Sequence, residues 1–175
     1  MFRSIALLVP VLVMLSRVVG ASDVDRLACR PHTGIEAYSV LMACTRVIAM
    51  RGIPLQERAE AHSSRGGAYL EVSTTGRAIA DYTEAIRHSP GYVDAYLERA
   101  RLFLRERDFS AALSDCLIVL RISPPSERAY WCAARAYAGV GDTRRALSLL
   151  RRALELSPES RLFRDLFPSE PSNRP

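Results

Sequence analysis

The stretch AIADYTEAIRHSP at residues 78–90 returns as ALSDCLIVLRISP at residues 112–124 and as ALSLLRRALELSP at residues 146–158. Each copy begins with alanine, ends with proline and lies 34 residues after the copy before it. Upstream of each copy, one column is always small and another is always aromatic. The small column holds Gly66, Ala100 and Ala134, and the aromatic column holds Tyr69, Phe103 and Tyr137. A fixed period of this kind is typical of a helical repeat array.

The apolar residues inside each copy follow the spacing of a helix. In the first copy they recur at i, i+1, i+4, i+7 and i+8, which together form one helix face. Asp108 and Asp142 lie where each would N-cap the second helix of a pair. The proline ends each pair because its ring cannot continue the hydrogen-bond ladder. A single helix pair cannot bury its apolar face alone, so we expect neighbouring pairs to stack.

Taken together, these columns resemble the tetratricopeptide repeat (TPR) family, in which pairs of antiparallel helices stack into a superhelix. The resemblance covers three repeats, at residues 59–92, 93–126 and 127–158, and implies an all-α TPR helical-repeat solenoid. Two columns depart from the family pattern. The large hydrophobe that usually opens the first helix is replaced by His62, and the usual leucine before the small residue becomes Arg65, Arg99 or Ala133. These departures bear on how tightly the first helices pack, not on the fold.

Residues 1–21 have the layout of a secretory signal peptide. Arg3 gives a short positive start, residues 5–15 form an apolar run, and small residues follow at the end. We expect cleavage after Gly20 or Ala21. The alternative of an uncleaved membrane anchor stays open, although the apolar run is short for a span.

The segments on either side of the repeats are expected to cover them, as terminal repeats require. Residues 22–58 form a predicted N-terminal capping segment with one helix at residues 35–50, which acts as a half-repeat. Residues 159–175 are predicted to hold a short capping helix and a disordered tail. A cysteine, a helix with a second cysteine and then repeats after a signal peptide resemble small exported TPR proteins of Gram-negative bacteria. That resemblance implies a periplasmic or secreted protein.

Four cysteines, an even number, indicate disulfides in an exported chain. Among the three pairings that four cysteines allow, we favour the two local ones, Cys29 with Cys44 and Cys116 with Cys132. The alternative that Cys116 and Cys132 are unbridged thiols in small core slots stays open. No cysteine pair has CxxC spacing, and the histidines lie in unrelated places, so we expect no metal site and no cofactor. The three histidines are His32, His62 and His88.

The charge and the polar residues exclude two classes of function. The formal net charge is +5, and residues 1–21 contribute two arginines and no acid. Without them, 22 basic residues face 19 acidic ones, which leaves 22 − 19 = +3. That excess is too small and too scattered to indicate nucleic-acid binding. No nucleophile has a nearby base at a known spacing, and no glycine-rich phosphate loop is present, so we expect no catalysis.

The family resemblance also implies where function would lie, because the first helices of TPR proteins line a concave groove that receives a peptide or a partner helix. The predicted groove residues are Leu97, Arg101, Leu104, Arg105, Arg128, Trp131 and Arg135. Arginine binds carboxylates bidentately, and a neighbouring aromatic ring anchors apolar side chains. We therefore predict a protein-binding adaptor of the bacterial envelope, whose partner presents an acidic segment or a C-terminal carboxylate.

Two alternatives to this groove stay open at the level of sequence. In the first alternative, the arginines form a solvated helix face without a partner, and Trp131 packs against the second repeat instead of facing the groove. In a different class of function, the chain is a self-assembling structural subunit of an envelope or secretion complex, with the convex second-helix faces as contacts. The oligomeric state is open.

Overall fold

The structure is a computed structural model that describes residues 21–30 and 36–158. All regular secondary structure in these residues is helical, as the sequence predicts. The helices are α1 (Ala21–Ala28), α2 (Ala37–Ala49), α3 (Leu55–Glu71), α4 (Thr75–His88), α5 (Val93–Arg105), α6 (Phe109–Ile122), α7 (Glu127–Gly139) and α8 (Thr143–Leu156). The predicted signal peptide, apart from its last residue Ala21, lies outside the described residues. So do the predicted C-terminal capping helix and tail.

The helix boundaries repeat with the same period as the sequence. The second helices α4, α6 and α8 begin 34 residues apart, and each ends two residues before its proline. The first helices α5 and α7 also begin 34 residues apart, whereas α3 begins at Leu55 and is therefore one turn longer. Each helix packs against the next along the chain, and α5 also contacts α7 directly. The all-α solenoid of three helix pairs is confirmed.

The turn inside each repeat is built from the same two positions. Ser73 and Arg107 have positive φ values of 58° and 62°, and Gly141 has 85° at the equivalent place. The next residue N-caps the following helix in two repeats. Asp108 accepts a hydrogen bond from the backbone N–H of Ala111, and Asp142 accepts one from that of Arg145. A left-handed residue followed by a carboxylate cap thus ends one helix and starts the next.

The core of the solenoid consists of the small and apolar columns that the sequence shares between repeats. Ala78, Ala112 and Ala146 are all buried, as are Ala85, Val119 and Ala153. The residue in the small column leaves space for the large side chain that packs against it. A Cβ atom on Gly66 would lie 3.2 Å from the ring of Tyr82, so this glycine makes room for a large partner. The ring of Phe109 covers Gly139 so closely that a Cβ atom there would overlap it.

The chain before the repeats contains two helices, not the single helix that the sequence predicts. The short helix α1 packs against α2, and the Cys29–Cys44 disulfide joins the pair with its Cα atoms 4.8 Å apart. Arg46 on α2 also holds the carboxylate of Asp25 on α1 with contacts of 2.6 and 2.9 Å. The half-repeat is therefore completed by α1 into a helix pair that covers the first repeat.

The second disulfide joins two repeats. Cys116 on α6 and Cys132 on α7 are bonded with their Cα atoms 5.9 Å apart. Both disulfides fit the pairing predicted from the sequence, and all four cysteines are bridged. None of the helices that the structure describes combines the length and the apolar character needed to cross a membrane.

Candidate binding groove

The predicted groove lies along α5 and α7, the first helices of the second and third repeats. That Leu97 and Leu104 contact a partner stays a prediction, and both side chains are buried in the structure. Leu97 is only 6 % exposed and packs with Tyr96 and Ala129. Leu104 is 7 % exposed and belongs to the apolar cluster around Cys116. These two leucines support the wall of the groove from behind, and the polar residues form its surface.

A network of charges crosses from α7 to α5. The guanidinium of Arg128 donates to the carboxylate of Asp94 at 3.0 Å and to that of Glu98 at 3.1 Å. Glu98 also accepts a hydrogen bond of 2.9 Å from Arg101, one turn further along α5. Two of the four predicted arginines are therefore partly neutralised by carboxylates of the same surface. Because these side chains are exposed to solvent, the pairs are weak and open to competition.

Trp131 and Arg135 form the second element of this surface, one turn apart on α7. The guanidinium carbon of Arg135 lies 4.7 Å from the centroid of the Trp131 ring, which is a cation–π contact. Arg135 is exposed and Trp131 is half-buried. Arg105 is exposed at the end of α5. The ion pairs within residues 21–30 and 36–158 engage Arg101 and Arg128 but neither Arg105 nor Arg135.

A cleft of about 480 Å³ lies at the other end of the array, between α1, α3 and the start of α5. Its polar lining is mixed in charge, because Glu57 and Glu60 face Arg26 and Arg30. Arg26 donates a hydrogen bond of 2.6 Å to Glu57 and so connects α1 to the first repeat. The cleft therefore carries charges of both signs, whereas the surface of α7 is rich in arginine.

Two buried carboxylates between the helices of the first and second repeats were missed by the sequence analysis. Arg65 donates two hydrogen bonds of 2.8 Å to Asp81, and Arg99 donates bonds of 2.9 and 2.8 Å to Asp115. The arginines that replace the usual leucine therefore fill its place through bidentate ion pairs. The signal was present in the sequence, because an aspartate follows each of these arginines by 16 residues.

The neighbours of Asp81 stabilise its charged form in spite of its burial. Burial opposes the charged form, but the hydrogen bonds from Arg65 and His62 outweigh it and hold the pKa of Asp81 below its usual value. Each arginine also reaches back to the preceding helix pair. Arg65 donates to the hydroxyl of Thr45 at 3.0 Å, and Arg99 donates to Thr83 at 2.9 Å. The same polar contact thus joins two successive pairs.

Two of the three histidines lie together, which corrects the expectation that they occupy unrelated places. The rings of His62 on α3 and His88 on α4 stack with centroids 5.5 Å apart. Burial, together with Arg87 and His62, lowers the pKa of His88. Sequence separation hid this pair, because the two residues meet only when α3 and α4 fold against each other.

Comparisons with known proteins identify the repeat. Residues 64–127 match a family model described as tetratricopeptide repeat. The described helices have the fold of a tetratricopeptide-repeat solenoid. The matched segment runs from α3 to the start of α7 and so includes the two buried ion pairs of this TPR array. A comparison with curated proteins finds no relative of this sequence.

Several solved TPR structures are similar to this chain. The crystal structure of MamA protein is 22 % identical with a TM-score of 0.61, and the match covers 70 % of this chain and 65 % of MamA. YrrB, described as a TPR protein with an unusual peptide-binding site, is 16 % identical with a TM-score of 0.64 and coverages of 76 % and 66 %. The second TPR of Spaghetti (RPAP3), bound to the HSP90 peptide SRMEEVD, is 21 % identical with a TM-score of 0.56 and coverages of 59 % and 90 %. At these identities the likeness shows the fold alone.

Proposed function

We propose that this TPR protein is a non-catalytic adaptor that binds a segment of another protein on the α5–α7 surface. The observation that carries the proposal is the Arg135–Trp131 pair on the first helix of the third repeat, in which the exposed guanidinium of Arg135 lies over the half-buried ring of Trp131. Similar folds in YrrB and Spaghetti are described with a peptide site or a bound peptide, which supports the same use of this fold.

The charges of the surface favour an acidic partner. Arg101 and Arg128 are paired with the carboxylates of Asp94 and Glu98, whereas Arg105 and Arg135 take part in no ion pair within the described residues and are available to a partner. A carboxylate of the partner would bind the guanidinium of Arg135 through charge-assisted hydrogen bonds. An apolar side chain beside that carboxylate would pack on the ring of Trp131. A second carboxylate would compete with Glu98 for Arg128, so the intramolecular pairs select for strong acceptors.

We further propose that the protein works after export, in the periplasm or outside the cell. Two disulfides in a chain of 175 residues support this location, because structural disulfides persist in oxidising compartments. The layout of residues 1–21 supports it as well.

The self-assembling structural subunit remains the second candidate. The observation in its favour is the exposed apolar pair on the outer face of α2, where Tyr38 is 66 % exposed and Met42 is 60 % exposed one turn later. A second copy that packs on this face would leave the α5–α7 surface free. Light scattering of the full chain during size-exclusion chromatography distinguishes the two candidates. A monomer supports the adaptor, and an assembly that dissociates on Met42→Arg supports the structural subunit.

Trp131 is the only tryptophan of the chain, so its fluorescence reports directly on the proposed site. The probe is an array of C-terminal heptapeptides that includes SRMEEVD, followed by titration of the best peptides against the full-length protein. We expect acidic peptides with a free carboxylate to shift the emission of Trp131, and their amidated or glutamine-containing versions to bind at least about tenfold more weakly.

The matched control for Arg135→Ala is Arg151→Ala, which removes an exposed arginine from α8. We expect Arg135→Ala to abolish selection of acidic peptides and Arg151→Ala to retain it, with equal helicity of both variants by circular dichroism. If the array selects no acidic peptides, or if Arg135→Ala selects them as well as the wild type does, the proposed site is wrong.

A further inference from the structure

Three side chains that bind metals converge between α3 and α4, at the end of the first repeat. His62 comes from α3, whereas Glu84 and His88 come from the last turn of α4 at i and i+4. One ligating atom of each residue lies within 4.8 Å of those of the other two. Zn²⁺ binds imidazole nitrogens at about 2.0–2.1 Å, which places tetrahedral ligands about 3.4 Å apart. Binding of Zn²⁺ would therefore need the three ligating atoms to come closer together, and two of the three side chains belong to the single helix α4.

The first repeat is the only one of the three to carry this set. The position of His62 is Tyr96 in the second repeat and Tyr130 in the third. The position of Glu84 becomes Ile118 or Arg152, and the position of His88 becomes Ile122 or Leu156. In the second repeat this slot is apolar, with Tyr96 packed beside Ile118. The first repeat has the same pair of helices but carries nitrogen and oxygen side chains in place of this apolar packing. The repeat pattern does not require such polar side chains.

The histidine on α3 is oriented by a carboxylate, as metal-binding histidines are. Nδ1 of His62 lies 2.9 Å from the carboxylate of Asp81, which is itself fixed by Arg65. The side chains of His62 and Asp81 are 8 % and 6 % exposed, so the contact is held inside the protein. This contact fixes the orientation of the ring and leaves Nε2 of His62 as the ligand.

The C-terminus of α4 contributes a partial negative charge beside the positive groups Arg87 and Arg58, which act on His88 in the opposite direction. His88 is the last residue of α4, so the free carbonyl groups of the helix terminus bring a partial negative charge to the site. The positively charged guanidinium of Arg87 already lies at this end of α4. Arg87 donates to Glu84 at 2.7 Å and approaches Nε2 of His88 at 3.1 Å, so a positive group bridges two of the three ligands. The Arg87 side chain is 63 % exposed and can turn into solvent.

We propose that His62, Glu84 and His88 bind a divalent transition-metal ion of the Zn²⁺ class, in exchange for the guanidinium of Arg87. Two imidazoles and one carboxylate suit Zn²⁺, Co²⁺ or Ni²⁺ better than the oxygen-preferring Mg²⁺ and Ca²⁺. Three protein ligands leave the fourth tetrahedral position to water. The ion fastens the end of α4 to α3, and this role goes beyond the adaptor function because no residue of the α5–α7 surface takes part.

The test uses the full-length protein without an affinity tag, after treatment with EDTA. Calorimetric titration with Zn²⁺ gives the stoichiometry and affinity, and Co²⁺ gives the visible absorption of a tetrahedral site. We expect one equivalent per chain and a thermal unfolding midpoint that rises with Zn²⁺ concentration. Arg87→Ala is expected to tighten binding, since it removes the competing guanidinium.

The ligand substitutions are made in α4, because a substitution of the buried His62 would also destabilise the folded protein. We expect His88→Ala and Glu84→Gln each to weaken binding by more than about 10- to 100-fold, which is the loss typical of removing a group that only orients a ligand. His32→Ala is the matched control and retains it. The proposal is overturned if the wild type and Arg87→Ala both fail to bind Zn²⁺ or Co²⁺. It is also overturned if His88→Ala binds as the wild type does, or if His32→Ala alone abolishes binding.

Discussion

The junction between the first and second repeats and the junction between the second and third share one backbone but differ in chemistry. At the first junction, Arg99 binds Asp115 within its own repeat and reaches back to Thr83. At the second, the equivalent positions hold only apolar residues, which are Ala133, Leu149 and Leu117. The neighbouring residues Cys116 and Cys132 form a disulfide there instead. The repeated helix pairs determine which positions lie next to each other at a junction. The contact between the side chains at those positions can be ionic or covalent.

The largest effect that tests this comparison comes from breaking a buried ion pair. We expect Asp81→Ala to lower the free energy of unfolding by about 3–5 kcal/mol, because it leaves the charge of Arg65 buried and unpaired. Asp115→Ala should cost less, since Asp115 accepts hydrogen bonds from Arg99 whereas Asp81 contacts His62 in addition to its arginine. Urea denaturation followed by circular dichroism at neutral pH measures both losses. Equal losses for the two variants would contradict the added role of Asp81.

The double variant Arg99→Ala, Asp115→Leu copies the third repeat into the second and supplies the control. We expect it to be within about 1–2 kcal/mol of the wild type, because a well-packed apolar pair replaces a buried ion pair at little cost. If the double variant is as unstable as Asp115→Ala, the two chemistries are not interchangeable at this position.

Acid should remove the difference between Asp81→Ala and the wild type. The pKa of Asp81 is lower in the folded protein than in the unfolded chain, so its stabilisation is present above the unfolded pKa of about 3.9. It is lost as the pH falls through the lower, folded value. Unfolding measured between neutral pH and strong acid should therefore show the two curves approaching each other only at the acid end.

The covalent junction gives the next largest effect. Cys116→Ala, Cys132→Ala should lower the free energy of unfolding by about 3 kcal/mol in the loop-entropy account, for a sequence separation of 16 residues. Cys29→Ala, Cys44→Ala opens a loop of nearly the same size and is the matched comparison. We expect limited proteolysis to cut near the α6–α7 loop in the first variant and near α1 in the second. Identical cleavage patterns would show that neither bond stabilises its own junction.

The smallest expected effect concerns the turn that all three repeats share. Arg107 has a positive φ of 62°, a conformation that costs a non-glycine residue about 1 kcal/mol. Arg107→Gly should therefore raise the thermal unfolding midpoint slightly, and Gly141→Ala, at φ 85°, should lower it by a comparable amount. A midpoint that falls in Arg107→Gly would mean that the cation–π contact of Arg107 with Phe109 outweighs the backbone strain.

The sequence predicted what depends on the period and missed what depends on contacts between columns. Stacked helix pairs, N-caps at Asp108 and Asp142 and local cysteine pairs all follow from positions that recur or lie close in the chain. In the sequence, Arg65 and Arg99 are only departures from a leucine column, because a single column does not show its partner on the facing helix. Leu97 and Leu104 were assigned to the groove surface, since the helix face alone does not tell which residues the neighbouring helix covers.

The order of the cysteines along the chain has a consequence for biogenesis. Each disulfide joins a cysteine to the next one in sequence, across separations of only 15 and 16 residues. When the chain emerges with its N-terminus first, Cys29 meets Cys44 long before Cys116 is present. In an oxidising compartment, which the proposed export implies, we expect Cys29 and Cys44 to pair first, and this leaves Cys116 to pair with Cys132. We therefore expect a simple thiol oxidant to give the native pairing without correction by an isomerase.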